Sequence, residues 1–323
     1  MILWLYNTVK TAIAKCNKLQ RLACLSITGA MRTCPTLAIE AIVGLAPLHI
    51  FIMKTAAISA LKVQVTSNMP LADEGHMSIL KQIPDIRVCL KSDHMIKELC
   101  FGRRFKISIP ERTDWIGEGP NLGRDSLNWY TDGSKTELST GAGVYGPNTT
   151  VSIAMGEWPS VFQAEVQAIK TCAQINLNKG LKGSTINILS DSQAAIRALS
   201  SWSFRSSLVK ECFDCLQRLA AINRVTLVWV PGHSGVDGNE IADNLAREGS
   251  STRYQGPEPY CNIGWSSAKT VVDKWAKSFQ VSYWNDASGL RQTKKFIKPY
   301  AYTNATDPSK SDLRLESWQA SLR

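Results

Sequence analysis

The chain has 323 residues, 44% of them hydrophobic and 20% charged, with a formal net charge of +10. That composition fits a globular protein of one or two domains and excludes a disordered or fibrous chain, while the positive excess points to an acidic partner, nucleic acid being the commonest. Nine cysteines, scattered and odd in number, do not make a disulfide framework and fit a reducing compartment.

Residues 1–65 read as a helical segment. Leu19, Leu22 and Ile27 recur on a roughly helical repeat until Cys34-Pro35 breaks it. The stretch Thr36 to Ala60 is strongly apolar, but its longest uncharged run, Ala41 to Met53, is shorter than a bilayer requires. Paired core helices are therefore expected, and no membrane association. The opening Met1-Ile-Leu-Trp-Leu5 has no basic n-region, so a cytoplasmic or nuclear protein is expected, not a secreted one. The sequons at Asn148 and Asn304 are then chance matches. Residues 66–124, punctuated by Pro70, Pro84, Pro110 and Pro120, read as a linker.

Residues 125–250 alternate strand and helix signals and form the clear domain. Strands are expected at Leu127 to Thr131, Ala142 to Tyr145, Thr149 to Ala154, Thr185 to Leu189 and Val225 to Val230. Helices are expected from Pro159, where Phe162, Val166, Ile169 and Ala173 make an apolar stripe, at Ser192 to Leu199, at Leu208 to Ile222 and at Asp237 to Arg247. The order β-β-β-α-β-α-α-β-α implies an α/β fold with a five-stranded mixed sheet flanked by helices. The lone Cys212-Phe-Asp-Cys215 lies in a helical pattern and is read as packing. Residues 251–323 form a basic C-terminal tail, with Gly256-Pro-Glu-Pro259, a helical stretch from Ala268 to Trp284 and a basic run from Arg291 to Lys298. Residues 127–248 hold ten Lys/Arg and eleven Asp/Glu, against sixteen and ten in 1–126 and eleven and six in 249–323. A nearly neutral centre is thus flanked by basic segments suited to gripping phosphates.

Four acids sit where an acid is hard to explain. Asp132 and Asp191 end the first and fourth strands, Glu165 shares the apolar face of its helix, and Asp243 lies in the last helix. Each has an ordinary alternative: Asp132 and Asp191 as caps, Glu165 on a helix rim, Asp243 paired with Arg247 at i, i+4. Together they describe a converging cluster that persists only if cations neutralise it. Oxygen ligands without Cys/His spacing fit hard divalent ions, Mg²⁺ or Mn²⁺, and no zinc site.

The ordered set Tyr130-Thr-Asp132-Gly133-Ser134, Gln163-Ala-Glu165, Ser190-Asp191-Ser192, Pro231-Gly-His233-Ser-Gly235 and Asn239-Glu-Ile-Ala-Asp243 resembles type-1 ribonuclease H over about 125 residues. The resemblance implies the ribonuclease H-like fold and a hydrolase that cuts the RNA strand of RNA–DNA hybrids, leaving 5′-phosphate and 3′-hydroxyl ends. It implies two Mg²⁺ ions, with Mn²⁺ as a substitute, about 3.5–4 Å apart, and no small-molecule cofactor. Asp132 would bridge both ions, Asp243 would hold the ion on the side of the attacking water, and Glu165 and Asp191 would hold the other. His233, on a loop bracketed by Gly232 and Gly235, would shuttle protons or aid product release. Gly133, Ser134, Gln163, Ser192 and Asn239 would contact substrate or support the ligands. One departure is that Val161 and Phe162 stand where many members carry amide side chains that read RNA 2′-hydroxyls.

The flanks carry a second resemblance. Cys16-Asn-Lys-Leu-Gln-Arg21, Gly29-Ala-Met-Arg-Thr33, Pro35-Thr36 and Gly44-Leu-Ala-Pro-Leu48 resemble the segment that follows the polymerase in insect-type non-LTR retrotransposons, and Trp275 through Lys294-Lys-Phe-Ile297 resembles the stretch after the nuclease. No Tyr-x-Asp-Asp polymerase motif is present. Three other readings stay open: an inactive, domesticated nucleic-acid-binding protein, a DNA transposase or integrase on a related fold, and a structural module docking through its N-terminal helices.

Overall fold

The computed structural model describes residues 10–67, 76–116, 119–288, 290, 291 and 293–296. The opening pentapeptide, the sequon at Asn304 and the end of the basic run beyond residue 296 lie outside them. In chain order the first helices are α1 (Lys10–Thr28), α2 (Thr36–Val43), α3 (Leu48–Ser67) and the short α4 (Ile86–Cys89). Strands β1 (His94–Leu99) and β2 (Lys106–Ser108) precede β3 (Leu127–Lys135), β4 (Thr140–Gly146) and β5 (Thr149–Gly156). Then come α5 (Val161–Asn178), β6 (Thr185–Ser190), α6 (Gln193–Ser200), β7 (Ser203–Ser206) and α7 (Ser207–Ala220). The last elements are β8 (Arg224–Trp229), α8 (Asp237–Ser251), α9 (Trp265–Asp286) and α10 (Thr293–Phe296). The chain divides into two compact units: the described residues up to Ile86 with those from Lys269 on, and Arg87–Ala268.

The first unit is helical, as expected. Gly44 ends α2 at φ 76, a left-handed C-cap that glycine adopts without steric cost. Gln20 of α1 ties the α2–α3 connection: its Nε2 donates to Ala46 O at 2.8 Å, and Leu48 N donates to its Oε1. Ala56, Ala57, Ala60 and Leu61 of α3 are fully buried. By length and composition α3 would also suffice to cross a membrane over Leu48–Thr66, a test that core helices pass as well, and a third of that window is buried. The run counted in the sequence stopped short because it ended at Lys54, which here pairs with Asp273 at 2.7 Å. Glu40 is almost wholly buried with one carboxylate oxygen unpartnered, and burial pushes its carboxyl up to about 7.

The second unit is an α/β fold around one mixed sheet, in the order β2-β8-β6-β3-β4-β5. All five expected strands are present, and β3, β4 and β5 pair antiparallel while β6 and β8 run parallel to β3. The count of five is corrected to six: Lys106–Ser108 pairs parallel with β8. A three-residue strand carries too little alternation to be read from sequence. A further two-stranded ribbon joins β1 to β7 antiparallel. The stretch read as a linker therefore supplies a sheet edge and a ribbon. It also supplies Asp93, whose carboxylate accepts from Ser206 Oγ, Ser207 Oγ and Leu208 N and so caps α7.

The core lies between the sheet and α5, α6 and α7. Trp129, Ile169, Ile186, Ile188, Ile196, Leu216 and Leu227 are buried there, and the Cys212 and Cys215 thiols are free and lie in the same cluster. Such side chains contribute roughly 1.5–3 kcal/mol each on burial. On the opposite face α8 packs across β4 through glycines: a Cβ on Gly141 would come 2.1 Å from Ser250 N, and one on Gly143 2.1 Å from Ala242 O.

Candidate active site

The site is assembled by strand register. Thr131 of β3 pairs with Ser190 of β6, so Asp132 and Asp191 are the next residues on neighbouring parallel strands. Adjacent strands lie about 4.8 Å apart, which brings the two carboxylates together at the C-terminal end of the sheet. Thr131 Oγ1 locks the register by donating to Leu189 O at 3.1 Å.

Glu165 arrives from α5. Ser160 caps that helix, its Oγ accepting from Gln163 N at 3.2 Å while Gln163 Oε1 accepts from Ser160 N at 3.1 Å. The helix end can approach β3 because residue 133 is glycine: a Cβ there would come 2.6 Å from Glu165 N. Gly133 N also donates to Asp132 Oδ1 at 2.8 Å, fixing that carboxylate. Asp132, Glu165 and Asp191 place a carboxylate oxygen each within 4.8 Å of one another.

Asp243 comes from α8, where its charge helps to raise Asp132 and it forms an ion pair with Arg247. It is also grouped with His233 and Glu240 within 4.8 Å. The four carboxylates thus meet as a trio plus Asp243, joined through Asp132. Glu240 was not singled out from sequence. Its signal was present: it lies three residues before Asp243, on the same helix face. His233 sits at φ 51 in the loop between β8 and α8.

The electrostatics are those of crowded buried acids. Burial first, then the charge of Asp191, pushes Asp132 up to about 7. Burial and the charge of Asp132 push Glu165 well above the usual carboxylate range, and its Oε2 is buried without a partner. Burial and Asp243 raise Asp191 as well. Among the described residues no Lys or Arg forms an ion pair with any of these three. An oxygen trio with two buried members, an orphaned acceptor and no paired Lys or Arg among the described residues matches the donor chemistry of a hard divalent ion.

The remaining expected residues fall unevenly. Ser134 and Gly133 are half-buried at the end of β3. Ser192 caps α6, its Oγ accepting from Ala195 N at 3.3 Å. Asn239 is buried with Oδ1 unpartnered. Gln163 does not face open space: it is 1% exposed, closes the α5 cap and donates from Nε2 to Asn262 O at 2.7 Å. Of the two non-amide positions, Val161 is exposed and Phe162 packs on the core.

The family model described as RNase H matches residues 124–251. The chain is 30% identical to human ribonuclease H1 over 162 residues, covering 42% of this chain and 56% of that protein. It is 32% identical to the rat and mouse ribonucleases H1 over 146 residues, covering 39% of this chain and 50% of each of those proteins. The chain spans about half the length of the curated relatives it matches. With the α/β sheet order and the acid cluster at its strand ends, these matches lead to one statement of identity: residues 124–251 of this chain are an RNase H domain, with ribonuclease H1 proteins among its relatives.

Proposed function

We propose that this chain is an endonuclease that hydrolyses the RNA strand of RNA–DNA hybrids, using two Mg²⁺ ions held by Asp132, Glu165, Asp191 and Asp243, with Mn²⁺ as a substitute. The observation that carries the reading is the trio of buried Asp132 and Glu165 with half-buried Asp191, packed within 4.8 Å and, among the described residues, with no Lys or Arg paired to it. When bound, divalent ions would neutralise the cluster, acidify the attacking water and stabilise the departing 3′ oxygen.

The chain's own residues do the rest. Gly133 N orients Asp132, and the α5 cap holds Glu165 against it. His233, grouped with Glu240 and Asp243, takes up and releases protons at the edge of the site. Ser134, Ser192, Asn239 and the Gly133 backbone contact the substrate or its ligands, while Gln163 acts as a tether. The products carry 5′-phosphate and 3′-hydroxyl ends.

The basic segments on either side add phosphate grip, and no small-molecule cofactor takes part. The resemblance of 16–62 and 275–297 to retrotransposon segments supports descent from such an element, with a helical part in 1–65 and a basic tail in 251–323. A cytoplasmic or nuclear location, without membrane association, fits that origin.

The test is cleavage of a labelled RNA–DNA hybrid in Mg²⁺ and in Mn²⁺, wild type against Asp132→Asn. The expected result is scission of the RNA strand alone, falling by at least about 10²-fold in the variant. Absence of wild-type cleavage in both ions would sink the reading and leave a nucleic-acid-binding descendant.

A further inference from the structure

Residues 109–116 and 119–126 lie ahead of β3 as a strap, almost entirely outside the matched residues 124–251. The strap is anchored at both ends. Upstream, β2 holds the edge of β8 through residues 106–108. Downstream, Asn187 Nδ2 donates to Leu122 O at 2.8 Å and to Asn128 Oδ1 at 2.9 Å. Between these anchors lies a single helical turn, Arg112–Trp115, closed by reciprocal caps from Glu111 and Asp114.

That turn places Trp115 against the sheet. Trp115, Leu122 and Val236 all pack against the one small cluster of Leu189, Val228 and Val230. Val236 ends the loop that carries His233. A cavity of about 740 Å³ separates strap and loop, with Trp115, Ile116 and Pro120 on one side and Ser234 and Gly235 on the other. The Trp115 Nε1–H is buried without a hydrogen-bond partner, so its indole is held by packing alone.

The loop faces two ways. On one side Gly232 abuts Asp191, where a Cβ would come 2.7 Å from Oδ2, and His233 groups with Glu240 and Asp243. On the other side lies the cavity. The backbone of His233 stands at φ 51, a left-handed conformation that is strained for a non-glycine residue. Such a conformation persists only where its surroundings over-determine it. Inside the loop, Ser234 Oγ donates to Pro231 O at 2.6 Å. Open volume lies beside the loop, and Val236 packs against the same cluster as Trp115.

We propose that Trp115 is a positioning residue for His233: it walls the cavity beneath loop 231–236 and limits the loop to the arrangement that sets His233 beside Asp243. The proposal rests on the reading of Asp132, Glu165, Asp191, Asp243 and His233 as the hydrolytic centre.

The experiment uses the full chain and the variants Trp115→Ala and Trp115→Phe, each alone and with His233→Ala. Amide hydrogen exchange of residues 232–237 is measured first, without substrate. Exchange is expected to quicken in Trp115→Ala, with β3, β6 and β8 unchanged, and to return toward wild type in Trp115→Phe. Hybrid cleavage follows: kcat falls about tenfold in Trp115→Ala with KM little changed, as small misplacements of a reacting group do. In the His233→Ala background the same substitution has no further effect on kcat. Unchanged loop exchange overturns the proposal, and so does an equal loss of kcat with His233 absent. If wild type cuts no hybrid, the hydrolytic reading fails by itself; loop exchange in Trp115→Ala then still decides whether the strap holds the loop.

Discussion

Asp132 of β3 is the ladder partner of Gly143 of β4, and the missing side chain of Gly143 is what admits the backbone of Ala242, the residue before Asp243. One bare position on the sheet thereby brings two acids from distant parts of the chain close enough for Asp243 to help raise Asp132. Gly133 does the same for Glu165 on the neighbouring element.

Gly143→Ala is therefore expected to push α8 outward. Its Cβ would meet Ala242 O at 2.1 Å and Ala246 N at 2.6 Å, both backbone atoms that no rotamer change can move. Overpacking of this kind costs about 1–3 kcal/mol. Urea denaturation should report that loss, and hybrid cleavage should fall further than stability alone explains. A variant as stable and as active as wild type would show that α8 does not depend on this approach.

Asp132→Asn is expected to inactivate the site and yet stabilise the metal-free protein. Asp132 stands beside Asp191 and Glu165, and among the described residues no Lys or Arg pairs with the trio, so removing its charge relieves repulsion. Mg²⁺ should raise the Tm of the wild type by mass action and that of the variant much less. Melting curves in EDTA and in Mg²⁺ check both statements, and a variant that melts below wild type in EDTA would contradict the first.

The helical unit carries a separate pH dependence. Burial pushes Glu40 up to about 7, above an unfolded value near 4.3. The folded state then binds a proton that the unfolded state has released, so stability is full below about pH 4 and is lost as pH rises through about 7. Glu40→Gln has no such loss. In thermal melts of the full chain its advantage over wild type should be small at pH 5 and clear at pH 8; a constant difference at both values would refute the assignment to Glu40.

Asp93 is expected to matter although it lies 31 residues ahead of the matched domain. Its carboxylate accepts three hydrogen bonds at the start of α7, at 2.5, 2.7 and 2.9 Å. Loss of a cap costs about 0.5–2 kcal/mol, and here two serine hydroxyls also lose their acceptor. Asp93→Ala should lower the urea midpoint without abolishing cleavage, and a protein cut back to residues 124–251 should be less stable than one spanning 87–268.

The linear order of residues determined the elements that rest on local physics. The strand at Leu127, the apolar stripe of α5 and the turn signals at Pro231-Gly232 follow from side-chain period and backbone preference, and both are properties of neighbours in the chain. The acids Asp132, Glu165, Asp191 and Asp243 were legible too, because each breaks an apolar pattern where a carboxylate is costly unless compensated. What the chain order could not show is which pieces meet. The approach of Asp243 to Asp132, the capture of Gln163 by Asn262, the sixth strand at Lys106–Ser108 and the seat of Trp115 near the His233 loop all join residues far apart in sequence or too few to make a period. Those relations were decided by tertiary structure alone, because strand register and the close approaches allowed at Gly133, Gly143 and Gly232 set distances that no local pattern encodes.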